Sequence, residues 1–128
     1  MNFDVNLVIN SFPLLLAGAL ITVQITAISV GCGLFIGMFA GMARLSKVWP
    51  VKMLAAIYVD FIRGTPLLVQ IFIIYFAIPL ATGHRMDPFV AAVTACSINS
   101  GAYVAEIFRG GIQSIDKGQM EAGRSLGM

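Results

Sequence analysis

Charge is what this sequence lacks most. Only 11% of its 128 residues are Asp, Glu, Lys or Arg, against roughly 25% in a soluble globular domain, and 59% are hydrophobic. That balance excludes a water-soluble fold. The eight basic residues are scattered among segments that flank apolar runs, so no cationic stripe suited to nucleic acid exists. His84 is the single histidine and the acidic residues are dispersed. No nucleophile, base and orienting group can be assembled within one span, and no metal set stands out, so an enzyme is the least supported class. No Gly-x-x-x-x-Gly-Lys-Ser/Thr loop is present, so nothing here could hydrolyse ATP. The two cysteines, Cys32 and Cys96, fall inside apolar runs, where thiols act as small packers and not as a secreted disulfide framework. The start, Met1-Asn2-Phe3-Asp4, has neither the basic opening nor the cleavage site of a secretory signal, so the first apolar segment is expected to stay in place.

What the sequence has instead is long uncharged runs. Val5 to Ala43 is thirty-nine residues without a charge, and Gly64–Gly83 and Pro88–Ala105 follow. A hydrocarbon core of about 30 Å needs about 20 apolar residues of helix, so three crossings are expected. The fold class is therefore all-α: a helical integral membrane protein with spans at about 14–42, 64–82 and 88–108, preceded by an external segment over 1–12. Arg44, Lys47, Lys52, Arg63, Arg109, Lys117 and Arg124 then lie on one side, and only Arg85 on the other. This asymmetry puts the seven in the cytoplasm and the N-terminus outside. Three helices are too few to enclose a solute path, which implies helical partners within the bilayer.

In the first span, Asn10 or Ser11 is placed to cap a helix with Pro13 in its first turn. Gly33, Gly37 and Gly41 recur every four residues and give one face on which another helix can approach closely, the alternative being scattered membrane glycine. Trp49-Pro50 then reads as an interfacial anchor and helix start. Val51, Leu54, Ala55, Tyr58, Val59 and Ile62 form its apolar face, opposite Lys52, Asp60 and Arg63, which describes an amphipathic helix at the cytoplasmic interface. Arg63-Gly64-Thr65-Pro66 predicts a bend, with Gly64 ending one helix in a left-handed turn and Thr65 capping the next. Gln70 and Tyr75 are the hydrogen-bonding side chains of the short second span, suited equally to inter-helix contact or to lining a lumen.

Asp87-Pro88 opens the third span as cap and first-turn proline. Down this helix Cys96, Asn99, Tyr103 and Glu106 share one face. Counting about 1.5 Å per residue from Pro88, Asn99 lies roughly 16 Å in and Glu106 roughly 27 Å in, near the cytoplasmic surface. Asn99 and Ser100, with Tyr103 and Gln70, are the candidates for a solute path. Glu106 has a partner three residues on in Arg109, and three roles remain open: a local surface pair, an inward ion pair that holds a bundle or gate, or solute contact. Beyond Gly110-Gly111, Asp116 is placed to cap a short helix over 117–127 that Gly127 stops.

The last segment, Glu121-Ala122-Gly123-Arg124-Ser125-Leu126-Gly127, resembles the EAA loop of binding-protein-dependent ABC import permeases, with Gly123 in place of the second alanine. That exchange loosens the helix by about 1 kcal/mol. Asp60-Phe61-Ile62-Arg63-Gly64-Thr65-Pro66-Leu67-Leu68-Val69-Gln70 and Ile98-Asn99-Ser100-Gly101-Ala102-Tyr103-Val104-Ala105-Glu106-Ile107 are similar to the polar amino-acid permeases of that class. The resemblance implies a type I importer fold, a second permease subunit, an extracellular solute-binding protein and a cytoplasmic ABC ATPase. ATP and magnesium would be bound by that ATPase, leaving no cofactor in this chain. It also implies that Glu121, Ala122, Gly123 and Gly127 form the coupling helix seated on the ATPase. Members continue past this loop with further spans, so residues 13–128 look like the N-terminal part of a permease domain. The competing reading is a membrane anchor or scaffold that moves no solute, resting on the glycine face and the small size of the chain.

Overall fold

The computed structural model describes residues 5–128, and among them every regular element is helical. The elements are α1 (Val5–Leu45), α2 (Trp49–Gly64), α3 (Leu67–Phe72), a π-helical turn (Ile73–Ala77), α4 (Ile78–Thr82), α5 (Pro88–Gln113) and α6 (Lys117–Ser125). The reading of the first four residues as lacking a signal lies outside the described residues. Helices α1 and α5 are each long and apolar enough to cross a membrane. The segment expected as the second span does not satisfy that length and composition by itself: α2 and Leu67–Thr82 do so only together, and they meet at 105°.

Helix α1 runs 41 residues, about 60 Å at 1.5 Å per residue. It begins at Val5, so Asn10 and Ser11 lie within it and cap nothing, and Pro13 sits inside the helix and not in its first turn. Neighbouring polar groups and local adjustments let apolar helices tolerate such a proline. Most of α1 is exposed, and its buried residues are Ser29, Gly33, Gly37 and Gly41, a single stripe at four-residue spacing. That stripe lies on α5. A methyl group added to Gly33 would come within 2.6 Å of the Ser100 side chain, one on Gly37 within 2.5 Å of Val104, and one on Gly41 within 3.0 Å of Phe108. From the other side, Gly101 admits the Ile36 side chain. Helix α5 buries Ala91, Ala95, Ser97, Gly101, Ala102 and Ala105, all small, so the two backbones approach closely along most of a crossing.

Helix α2 starts at Trp49 with Pro50 in its first turn. Its inward stripe is narrower than the apolar spacing predicts. Ala55 and Val59 are buried, and Tyr58 and Ile62 half-buried, while Val51 and Leu54 are exposed. The corner after α2 also forms differently from its expected chemistry. Gly64 stays helical, because the only described glycines with positive φ are Gly83 and Gly127. The break comes from Thr65 and Pro66, both extended (φ −112°, ψ 142° and φ −63°, ψ 137°). A residue before proline is held out of the α region, and here that restriction turns the chain. The Thr65 hydroxyl donates back to the Phe61 carbonyl at 3.0 Å and makes no cap for α3.

Farther along, Pro79 has no N–H to offer the Tyr75 carbonyl, and in the preceding turn the register widens so that Ile78 N–H donates to Ile73. Gly83 ends α4 in the left-handed conformation at φ 74°. Asp87 caps α5, accepting from the N–H groups of Phe89 and Val90 with Pro88 in the first turn.

Candidate functional site

The polar side chains of α5 divide by depth into two groups. Near mid-helix, Cys96, Asn99 and Ser100 face an open cavity of about 220 Å³ lined also by Ile25, Thr26, Ser29 and Val30 of α1 and by Leu67 of α3. No charged side chain lines it. Thr26 donates to the Thr22 carbonyl and Ser29 to the Val93 carbonyl, so hydroxyls that would be costly in lipid are satisfied by helix backbone. Asn99 Nδ2 donates to Gln70 Oε1 at 3.2 Å. The structure thus brings Asn99, Ser100 and Gln70 together, while Tyr103 is about half exposed one turn farther down.

At the basic end of the bundle, Glu106 is the centre of an ion cluster drawn from three helices. Its Oε2 accepts from Arg44 of α1 at 2.5 Å and lies 4.0 Å from Arg63 of α2. Its Oε1 accepts from Arg109 Nε at 3.0 Å and also contacts Arg109 Nη2. Asp60 adds a second carboxylate 3.5 Å from Arg44. The Arg63 guanidinium also stands 5.3 Å over the Tyr103 ring. The local Glu106–Arg109 pair is therefore present, but it is one arm of a cluster holding three arginines and two carboxylates. Sequence reasoning paired Glu106 with Arg109 alone and missed Arg44, Arg63 and Asp60, of which Arg44 makes the shortest contact from another helix. The signal for Arg44 was there: it is the first charge after the thirty-nine-residue run, and Glu106 the first after the run that starts at Pro88. Two helices packed side by side bring such run-ends to one level.

Beyond this cluster, α6 stands apart. Asp116 caps it by accepting from the Gly118 N–H, and Gly127 follows it at φ 77°. It packs against no other helix among the described residues, and Glu121 and Ala122 are exposed with Gly123 half-buried. A helix of nine residues is marginal by itself, so its amphipathic pattern is suited to a surface that receives it.

Residues 33–128 match the family described as binding-protein-dependent transport system inner membrane component. This chain belongs to that family. It is 46% identical over its whole length to the glutamine transport system permease protein GlnP of Escherichia coli K12, covering 59% of that protein. It is 43% identical to the arginine transport system permease protein ArtQ of Bacillus subtilis, covering 58%. An L-cystine transport system permease protein, TcyB of Bacillus subtilis, is 46% identical over 96% of the chain and 53% of its own length. A crystal structure of an amino acid ABC transporter with histidines superposes over the whole chain at TM-score 0.91 and 43% identity, with 59% of that chain covered. The chain thus spans a little over half the length of the permeases it matches. The match to the inner membrane component family agrees with the apolar helices α1 and α5 and with the all-helical architecture.

Proposed function

We propose that this chain acts within the permease subunit of an ATP-binding-cassette importer for a polar amino acid, glutamine-like in the first instance, in the bacterial cytoplasmic membrane. The observation that carries the reading is α6, an exposed, capped, amphipathic helix bearing Glu121-Ala122-Gly123 and the left-handed Gly127, suspended past the ion cluster. Likeness to glutamine, arginine and L-cystine permeases supports the substrate class. In this reading a cytoplasmic ABC ATPase receives α6 and supplies the energy. An extracellular solute-binding protein delivers the amino acid, and a second permease subunit completes the path. The N-terminus lies outside, so that the seven-residue basic side faces the cytoplasm. The cavity beside Asn99 and Ser100 offers neutral hydrogen-bonding groups to a zwitterion, and the Glu106 cluster ties the helices together at the cytoplasmic end. Alternating access then tilts these helices as the ATPases close on nucleotide.

The test is ATP turnover stimulated by the binding protein in proteoliposomes containing the full-length permease and its ATPase. Glu121→Ala with Gly127→Pro removes the acidic contact and imposes φ near −65° where the backbone holds +77°. Loss of stimulation, with the permease still inserted, is the expected result. Unchanged stimulation overturns the docking role of α6.

A further inference from the structure

Gln70 does not line the cavity beside Asn99 and Ser100, and its carboxamide already has protein partners. It is buried, at 7% exposure. Nε2 donates to the Ile62 carbonyl at 2.8 Å and to the Thr65 hydroxyl at 2.9 Å, and lies 3.2 Å from the Thr65 carbonyl. Oε1 accepts from Asn99. Two of these three acceptors are backbone carbonyls that can only accept, so the nitrogen must face the corner and the oxygen must face α5. Both N–H groups are thereby engaged by the corner and Oε1 is engaged by α5, so the protein itself fixes the orientation of the carboxamide.

The partners lie on both sides of the 105° bend. Ile62 belongs to the last turn of α2, Thr65 is the extended residue of the corner, Gln70 is on α3 and Asn99 is on α5. The carbonyls of a helix's last turn lack N–H partners in their own helix, and at this corner α3 leaves in another direction. The Ile62 carbonyl also receives the Thr65 N–H and hydroxyl at 3.4 and 3.3 Å, and the shorter Gln70 bond adds to these while fastening the corner to α5. Other contacts reinforce the same seat: Tyr58 donates to the Ile98 carbonyl at 2.7 Å, and Arg63 stands over Tyr103.

We propose that Gln70 is a positioning residue: a four-way clamp that sets the angle between α2 and α3 and locks the elbow on Asn99, and not a solute ligand. The inference rests on the permease reading only for its transport readout. It removes Gln70 from the group of residues that touch the solute, and it assigns Asn99 a structural partner that must be released before α3 can move against α5.

The experiment uses the full-length permease with its ATPase and binding protein, with Cys32→Ala and Cys96→Ala as background and spin labels at Met53→Cys on α2 and Leu80→Cys on α4, both exposed. Gln70→Leu is expected to broaden the label-to-label distance distribution at least twofold. Gly31→Ala, which meets open space, leaves it unchanged. In uptake, Gln70→Leu is expected to lower Vmax at least tenfold with KM changed less than twofold. An unchanged distance distribution, or a KM raised tenfold at undiminished Vmax, overturns the proposal. Should Gln70→Leu fail to insert, Thr65→Val removes one acceptor of the same amide, and an unchanged distribution there overturns it equally. If the unmodified protein imports no amino acid, the proposed function fails while the label distances still decide the elbow.

Discussion

Arg44 of α1 donates to Glu106 of α5 across 62 positions of sequence, and the same carboxylate receives Arg109 from its own helix. Both side chains are mostly covered, at 17% and 23% exposure, so water screens the pair poorly. Removing one charge from such a pair leaves its partner uncompensated, a larger penalty than the pair's net worth. Glu106→Gln is expected to lower the thermal midpoint of the detergent-purified permease more than Asp60→Asn does, because Asp60 is 66% exposed. Exchanging the charges, Arg44→Glu with Glu106→Arg, should recover only part of the loss, since Arg109 and Arg63 would then face an arginine. Full recovery would show that Arg44 alone matters to Glu106.

Gly37 admits no side chain. A Cβ there meets Val104 Cβ at 2.4 Å and the Gly101 carbonyl at 2.8 Å. Gly37→Val should therefore force α1 off α5 and destabilise by about 1–3 kcal/mol, as overpacking of a filled core does. Val104→Ala in the same chain should restore little of it, because the Val104 Cβ and the Gly101 carbonyl both remain in place. Gly31→Ala on the same helix meets nothing within 4 Å and should leave the thermal midpoint unchanged or slightly raised.

Helix α6 depends on its cap and on whatever receives it. Its nine residues pack on no other helix among the described residues, so in the isolated permease the amides of Lys117–Ser125 should exchange with deuterium much faster than those of α5. Adding the ATPase should slow them at least tenfold. Asp116→Ala removes the cap, worth about 1 kcal/mol, and should weaken that protection without changing exchange in α5. Fast exchange that the ATPase leaves untouched would count against docking.

Orientation has a direct check. In the Cys32→Ala, Cys96→Ala background, an impermeant thiol reagent should reach Lys117→Cys and Arg124→Cys only from the cytoplasmic face, and Arg85→Cys only from outside. Labelling of position 117 in intact cells would reverse the assignment and with it the docking of α6.

The two long apolar helices were legible because lack of charge over about 20 residues has one physical meaning, and the caps at Asp87 and Asp116 were legible because cap chemistry is local. Long-range polar bonds were not. Gln70 reaches eight residues back to a carbonyl and twenty-nine forward to Asn99, and neither separation follows a helical or strand period. The bend at Thr65-Pro66 could be read from proline, but Gly64 misled, since glycine permits a left-handed turn without requiring it. Pro13 misled in the opposite sense: the first-turn rule assumes an aqueous competitor for the backbone, and in an apolar helix the hydrogen-bonded form persists around the ring.

The meeting of α1 and α5 limits how the two helices can move against each other. Ser100, Val104 and Phe108 drop into three notches spaced four residues apart. Neighbouring notches are about 6 Å distant along the axis, so a shorter glide would drive each tooth into backbone. The pair is a rack without intermediate stops. Relative motion of α1 and α5 is therefore a pivot about this line and not a slide along it.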